Sequence, residues 1–240
     1  MFKNHYSLII CIFLAFSSCT DEVKTSFSEV SISTKTNHIV EVNVPEAIGN
    51  KIIADQINGE ISKSISKALS IGEPNSNISK SIKESIDNFN SEYEQFINDF
   101  PETEIPWEAQ IDGEVVYQSP EIISIAITSY VNTGGAHGIS NISFLNFNAE
   151  NGQKLTNEQL ITDISAFKIL AKPYFDKSIA EKDNAVFDAK DYQLPANIAY
   201  TKDGLVLLYN TYEIAPYSTG IIEFKIPFEK AESYLVFNSL

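Results

Sequence analysis

The sequence predicts an α+β protein: N-terminal strands with two amphipathic helices, followed by an antiparallel sheet packed with helices. Three observations carry this. Apolar residues recur every three to four positions between Ile48 and Ile97. Strand-like alternation and apolar runs dominate from Trp107 onward. Strands and helices also do not follow each other in the regular order that builds a parallel sheet. A content of 43% hydrophobic and 20% charged residues fits a chain that buries a core rather than a disordered one.

The elements follow in order. "HIVEVNVP" (38–45) alternates as a strand, which Pro45 is expected to end. Ile48, Ile52, Ile53, Ile57, Ile61, Ile65 and Leu69 share one face of a first helix, whose other face of serines and lysines reads as merely solvated. Ile78, Ile82, Ile86, Phe89, Tyr93, Phe96 and Ile97 do the same for a second, with Gly72 and Pro74 between them. "ISKSI" occurs at 61–65 and again at 78–82, but on helices of ordinary composition, so it marks no duplicated unit. Pro101 closes the second helix.

"WEAQIDGEVVYQS" (107–119) places Asp112–Gly113 between two alternating runs and predicts a hairpin there. "EIISIAITSYV" (121–131) is apolar enough for the middle of a sheet. Glu150, Asn151 and Gly152 form a turn, and Thr156 with Gln159 forms a capping box for a short helix through Ile161. A helix from Ser165 to Ala180 carries Phe167, Leu170, Tyr174 and Phe175, with Pro173 expected to kink it. "IAYTKDGLVLLYNTYEI" (198–214) is a hairpin over Asp203–Gly204, and "GIIEFKIP" (220–227) a further strand.

The amino terminus sets a compartment. Lys3, the apolar run Leu8–Phe16 and the small residues before Cys19 have the layout of a secretory signal, with a hydrophobic stretch too short to span a bilayer. The pattern resembles a bacterial lipoprotein signal, which implies lipidation at Cys19 after removal of residues 1–18. Cys11, behind the bulky Ile10, does not fit cleavage. Residues 19–29 then form a polar tether. Asp21 and Glu22 resemble the acidic export tags of some Bacteroidetes surface lipoproteins. The expected location is the cell envelope, lipid-anchored at the outer membrane on its periplasmic face or at the cell surface.

Losing residues 1–18 removes one of 17 lysines and none of 32 acids, moving the net charge from −15 to −16. Cys11 leaves with the signal and Cys19 carries lipid, so no thiol remains for a disulfide, a zinc cluster or a nucleophile. Every basic side chain is lysine, because the sequence has no arginine. The bidentate phosphate-gripping fork is therefore absent, and with the acidic charge this excludes nucleic acid as the expected partner. The same charge attracts a basic protein at low salt.

The stretch "SYVNTGGAHGISNISFLNF" (129–147) holds the densest motif. Gly134, Gly135 and Gly138 read as a backbone device that permits positive φ and close approach in a bulge or tight connection. His137 is then expected to pack against the loop Glu213–Tyr217. Tyr212, Pro216 and Tyr217 are expected to fill the core beside that turn, the alternative being an exposed platform for a sugar or a protein.

Chemistry is sparse. Without residues 1–18 the chain offers only His38 and His137, far apart, so no metal site and no cofactor is expected. A triad of His137, Glu213 and a serine would lack the G-x-S-x-G elbow, and Glu213 paired with another acid would need a separation that sequence does not give. No catalytic residue is assigned. The alternative from another class is an envelope hydrolase acting on peptidoglycan or esters around His137.

"YVNTGGAHGISNISFLNFNAENGQKLTNEQLI" (130–161) and "YTKDGLVLLYNTYEIAPYSTGIIEFKIPF" (200–228) together resemble the domain-of-unknown-function family DUF3298. Residues 30–115 are similar to its companion family DUF4163, which leaves 116–240 as the DUF3298-like domain. These families occur in lysozyme-sensing anti-sigma factors and beside the catalytic domain of some peptidoglycan deacetylases. The resemblance implies an extracytoplasmic binding or sensing module, with a cationic protein such as lysozyme or a peptidoglycan fragment as partner. It implies no deacetylase activity here, because no polysaccharide-deacetylase region is present in these residues, nor a membrane-spanning helix of the sigma-regulator kind.

Overall fold

The computed structural model describes residues 25–34, 39–72, 81–102, 106–180, 186–187 and 192–238. The signal, Cys19, most of the tether, His38, Pro74 and Ile78 lie outside them. Strand β1 (Thr25–Ser33) runs antiparallel to β2 (Val40–Gly49). Helices α1 (Lys51–Leu69) and α2 (Ile82–Asp99) follow, and β3 (Glu108–Gln118) then pairs parallel to β2. A parallel return needs a long crossover, and the two helices supply it. Strands β4 (Ile122–Asn132), β5 (Ile139–Asn148) and β6 (Lys154–Leu155) continue antiparallel, giving a six-stranded sheet in sequence order. The α+β class holds, with one parallel pair inside an otherwise antiparallel sheet.

Pro45 does not end its strand. It pairs with Glu29 of β1, while pairing of β2 to β3 stops at Asn43–Asp112, so its missing N–H falls beyond the parallel ladder. The same ring explains a second departure. Asp112–Gly113 is no hairpin but the middle of β3, and Gly113 is extended there. A Cβ on Gly113 would lie 2.7 Å from Pro45 Cδ and 3.1 Å from Val44 Cγ1, so this glycine makes room for a neighbour rather than turning the chain. The division expected at 115/116 falls inside this strand.

Asn50 caps α1 by accepting hydrogen bonds from the Ile52 and Ile53 amides at 3.0 and 3.4 Å. Ile53, Ile57, Ile61, Ile65 and Leu69 are buried on the sheet as their spacing requires. Ile48 and Ile52 are not: Ile48 belongs to β2, one residue before its end, and Ile52 is 70% exposed. Ser81 caps α2 through the Glu84 amide, and Phe89, Tyr93 and Phe96 surround Trp107 with ring centroids 5.3–5.7 Å apart.

The Thr156–Gln159 capping box forms and opens α3 (Asn157–Leu160). Helix α4 (Ile164–Ala180) contains Pro173 and buries Phe167, Ala171 and Phe175. A second sheet follows, with β7 (Asn197–Thr201), β8 (Gly204–Tyr209) and β9 (Ile222–Ile226) antiparallel in that order, closed by α5 (Phe228–Ala231). The β7–β8 turn sits on Lys202–Asp203, with Gly204 already in register opposite Thr201.

Two apolar cores result, one under each sheet, and a seam of amide side chains joins them. Buried Asn146 accepts from Ser124 Oγ at 2.6 Å and donates to the Ile198 carbonyl at 2.7 Å. Asn210 accepts from the Ile142 amide and donates to its carbonyl, at 2.7 and 2.9 Å, and Asn197 accepts from the Phe144 amide at 3.1 Å. Strand β6 pairs only with Asn146 and Phe147, so these side chains satisfy an edge of β5 that, among the described residues, no strand covers.

Tyr192, Tyr200 and Tyr209 are buried in the second core, and burial pushes each phenol well above its ordinary range. The folded state keeps these protons while the unfolded chain releases them near the usual tyrosine value of 10.0. Stability is therefore intact below about pH 10 and falls as pH rises above it. A urea midpoint that is flat to about pH 9 and drops beyond about pH 10 is expected; a midpoint unchanged through about pH 11 contradicts the assignment.

Candidate functional site

The six residues between β4 and β5, Thr133 to Gly138, form the connection that carries the glycine motif. Its three glycines differ in role. Gly134 adopts φ 83°, the left-handed region that favours glycine, and its amide donates to Asn132 Oδ1 at 3.0 Å. Gly138 has no positive φ but lies under the Tyr130 ring, where any Cβ would overlap the ring carbons. Around Gly135 the nearest atom to an added Cβ is 3.8 Å away, so nothing there requires glycine.

The partner loop comes from the second sheet. Asn210 to Glu213 form a turn closed by the Glu213 amide donating to the Asn210 carbonyl at 3.0 Å. The Glu213 carboxylate accepts from the Asn210 amide at 2.8 Å, which fixes the same Asn210 whose side chain covers β5. Tyr212 stands at the third position of this turn with φ 69°, among the described residues the one non-glycine with positive φ. Ala215 is buried, Pro216 leads into a short 3-10 turn, Tyr217–Thr219, and Gly220 ends it at φ 69°.

The two loops meet. The His137 ring stacks on Tyr217 with centroids 3.8 Å apart and planes 16° from parallel. Tyr217 Oη donates to the Gly138 carbonyl at 3.2 Å, and the Tyr212 ring lies 5.6 Å from that of Tyr217. The expectation that the tyrosines fill the core is overturned: Tyr212 is 53% and Tyr217 37% exposed, and His137 is exposed with them. These rings form a surface platform because the turns that carry them are held by their own hydrogen bonds and by one buried alanine, not by ring burial. Among the described residues no serine or carboxylate hydrogen-bonds to the imidazole, and no group of three metal-binding side chains occurs. Cys19 lies outside the described residues.

An unanticipated feature is a cleft of about 890 Å³ between α1, β5, β6 and β7. It continues into a second hollow of about 570 Å³ over the open face of β4 and β5, and both share Ser64, Lys67, Ser143 and Asn197. Lys63 and Lys154 meet Glu60 at 2.5 and 3.2 Å. Burial opposes ionisation of Glu60, but hydrogen bonds from Lys63 and Lys154 and their charges outweigh it and hold the carboxyl below its usual range. Glu60, Lys63, Ser64 and Lys67 belong to the face of α1 expected to be merely solvated, and they line this cleft.

The glycines set two testable limits. Gly135→Ala should leave stability within about 0.5 kcal/mol, as at an unconstrained surface position. Gly138→Ala must push Tyr130 aside and should cost about 1 kcal/mol, since the obstructing atoms are the free end of a half-buried side chain. Urea denaturation of both variants checks the pair; equal losses would contradict the division of roles.

Two sheets tied by an amide seam, with facing loops that present three rings, define a two-sheet α+β protein. The chain carries a DUF3298 domain: residues 146–229 match the family model described as protein of unknown function (DUF3298). Residues 32–140 match the model described as deacetylase PdaC. No curated protein sequence matches the chain. Among solved structures, a DUF3298 family member from Bacteroides fragilis is similar at TM-score 0.67 and 22% identity, over 89% of this chain and 94% of that one. A DUF3298 family protein from Pseudomonas aeruginosa is similar at TM-score 0.60 and 20% identity, over 91% and 96%. At these identities the likeness is one of fold. The two family models meet between residues 140 and 146, inside β5, so both matched segments contribute to the larger sheet.

Proposed function

We propose that the chain is a non-enzymatic lipoprotein of the cell envelope, anchored through Cys19, that binds or senses a basic muramidase of the lysozyme type. The observation that carries this reading is the exposed platform of Tyr212, Tyr217 and His137, held in fixed geometry by the bond from Tyr217 to the Gly138 carbonyl. Rigid tyrosines that lose little side-chain freedom on binding are the usual energetic centres of protein interfaces. A net charge of −15 supports a basic partner, which it would draw in from solution. The same rings could stack on the sugar faces of a peptidoglycan fragment, which the test treats as a competitor.

Calorimetric titration with hen lysozyme at low and at physiological salt tests the reading. Binding at both, weaker at the higher salt because exposed charges are screened, is the expected result. No heat at either salt removes the proposal, and heat with a muropeptide but not with lysozyme replaces the partner.

A further inference from the structure

We infer that the pole of the molecule formed by Ile48, Lys51 and Ile52 is a membrane-resting surface that sits in the headgroup region of the bilayer. This rests on the anchoring at Cys19 proposed above. The described chain begins at Thr25, and β1 pairs Thr25 with Gly49 and Ser26 with Ile48. Gln118 Nε2 donates to the Thr25 carbonyl at 2.7 Å, which ties that first residue to the sheet. Five residues separate Cys19 from Thr25, and a fully extended chain over those six Cα steps reaches about 20 Å. A lipid on Cys19 therefore keeps this pole, and no distant one, against the membrane.

The pole is built for such a neighbour. Ile52 is 70% and Ile48 45% exposed, and only Gly49, Asn50 and Lys51 separate them. The cap made by Asn50 holds the segment rigid, so neither side chain can fold inward without breaking it. The Lys51 side chain is 85% exposed, and its ion pair with Asp55 at 2.7 Å is open to water, so the ammonium can exchange that partner for a lipid phosphate at little cost. Other exposed apolar side chains, such as Ile169 at 77% on α4 and Phe100 at 58% after α2, lie on elements with no such leash.

Charge does not drive this contact, because Glu46 and Asp55 are also exposed here and the chain is acidic overall. Two isoleucines are too small an anchor to hold a free protein. They suffice when a tether raises the local concentration of membrane, as the second of two linked contacts.

The test uses the full lipid-bearing protein in vesicles of phosphatidylethanolamine and phosphatidylglycerol, part of the lipid brominated near the carbonyl end of its chains. The natural Trp107 is buried at 6% exposure, and β3 carries the chain from beside it to Gln118, about 35 Å away, so it should stay unquenched. Emission from Ile52→Trp should fall by about half at the depth an interfacial residue reaches, and that from Ile169→Trp should not. If the protein floats with the vesicles but Ile52→Trp is no more quenched than Ile169→Trp, the inference is overturned and the anchoring stands. If the protein does not float with the vesicles, the anchoring reading fails and takes the inference with it.

Discussion

Tyr217→Ala should weaken lysozyme binding at least about 30-fold, a loss of about 2 kcal/mol, while changing stability by no more than about 1 kcal/mol. The ring joins every part of the proposed surface: it stacks on His137, donates to the Gly138 carbonyl and flanks Tyr212. Yet it is 37% exposed, so its removal leaves no cavity in either core. Tyr212→Gly sharpens the distinction. At φ 69° a tyrosine pays for a left-handed backbone that glycine adopts freely, about 1 kcal/mol. The variant should be as stable as the parent or more so, and bind less well. Calorimetric titration with urea denaturation of the same samples separates the two effects. An alanine variant that keeps full affinity would contradict the assignment of the surface.

Gly204→Ala should be the most destabilising small substitution in the second sheet. Gly204 has φ 139°, and an added Cβ would overlap the Ile226 carbonyl of β9, a backbone group that cannot swing away. Backbone strain and displacement of β9 together should cost about 3 kcal/mol. For a chain of this size that is a fall of roughly 6–12 °C in Tm. Thermal unfolding followed by circular dichroism checks it, and a shift below about 2 °C would mean that β8 and β9 are not paired as described.

The buried stripe of α1 was legible because helical periodicity is a local property that tertiary packing only has to accept. Ile48 and Ile52 extended the same pattern and were misread. The pattern says nothing of where the sheet ends and the helix begins. Asp112–Gly113 failed for the opposite reason. Its turn propensity is real, but the need to fit the Pro45 ring against β3 outweighs it, and no window shorter than the separation of the two residues contains that fact. The parallel pairing of β2 with β3 was hidden in the same way.

At the site, the glycine motif pointed to the right loop. Gly134 turns the chain and Gly138 admits a neighbouring ring, whereas Gly135 does neither. Exposure of the tyrosines was not legible, because it depends on hydrogen bonds that hold the turns away from the core. Glu213 shows this best: as an isolated acid it suggested chemistry, and in the fold its carboxylate accepts from the Asn210 amide and steadies the residue that covers β5. The amide seam of Asn146, Asn197 and Asn210 left no trace in the sequence, since asparagines in a strand or turn look alike whether they bridge two sheets or face water.

The most direct measurement is amide chemical-shift mapping of the isotope-labelled protein during titration with lysozyme. The largest changes are expected at Thr133–Ile139 and Tyr212–Gly220, the two loops that carry the stacked rings. Changes confined to the cleft around Lys63, Lys67 and Lys154, or none at saturating lysozyme, would contradict the account.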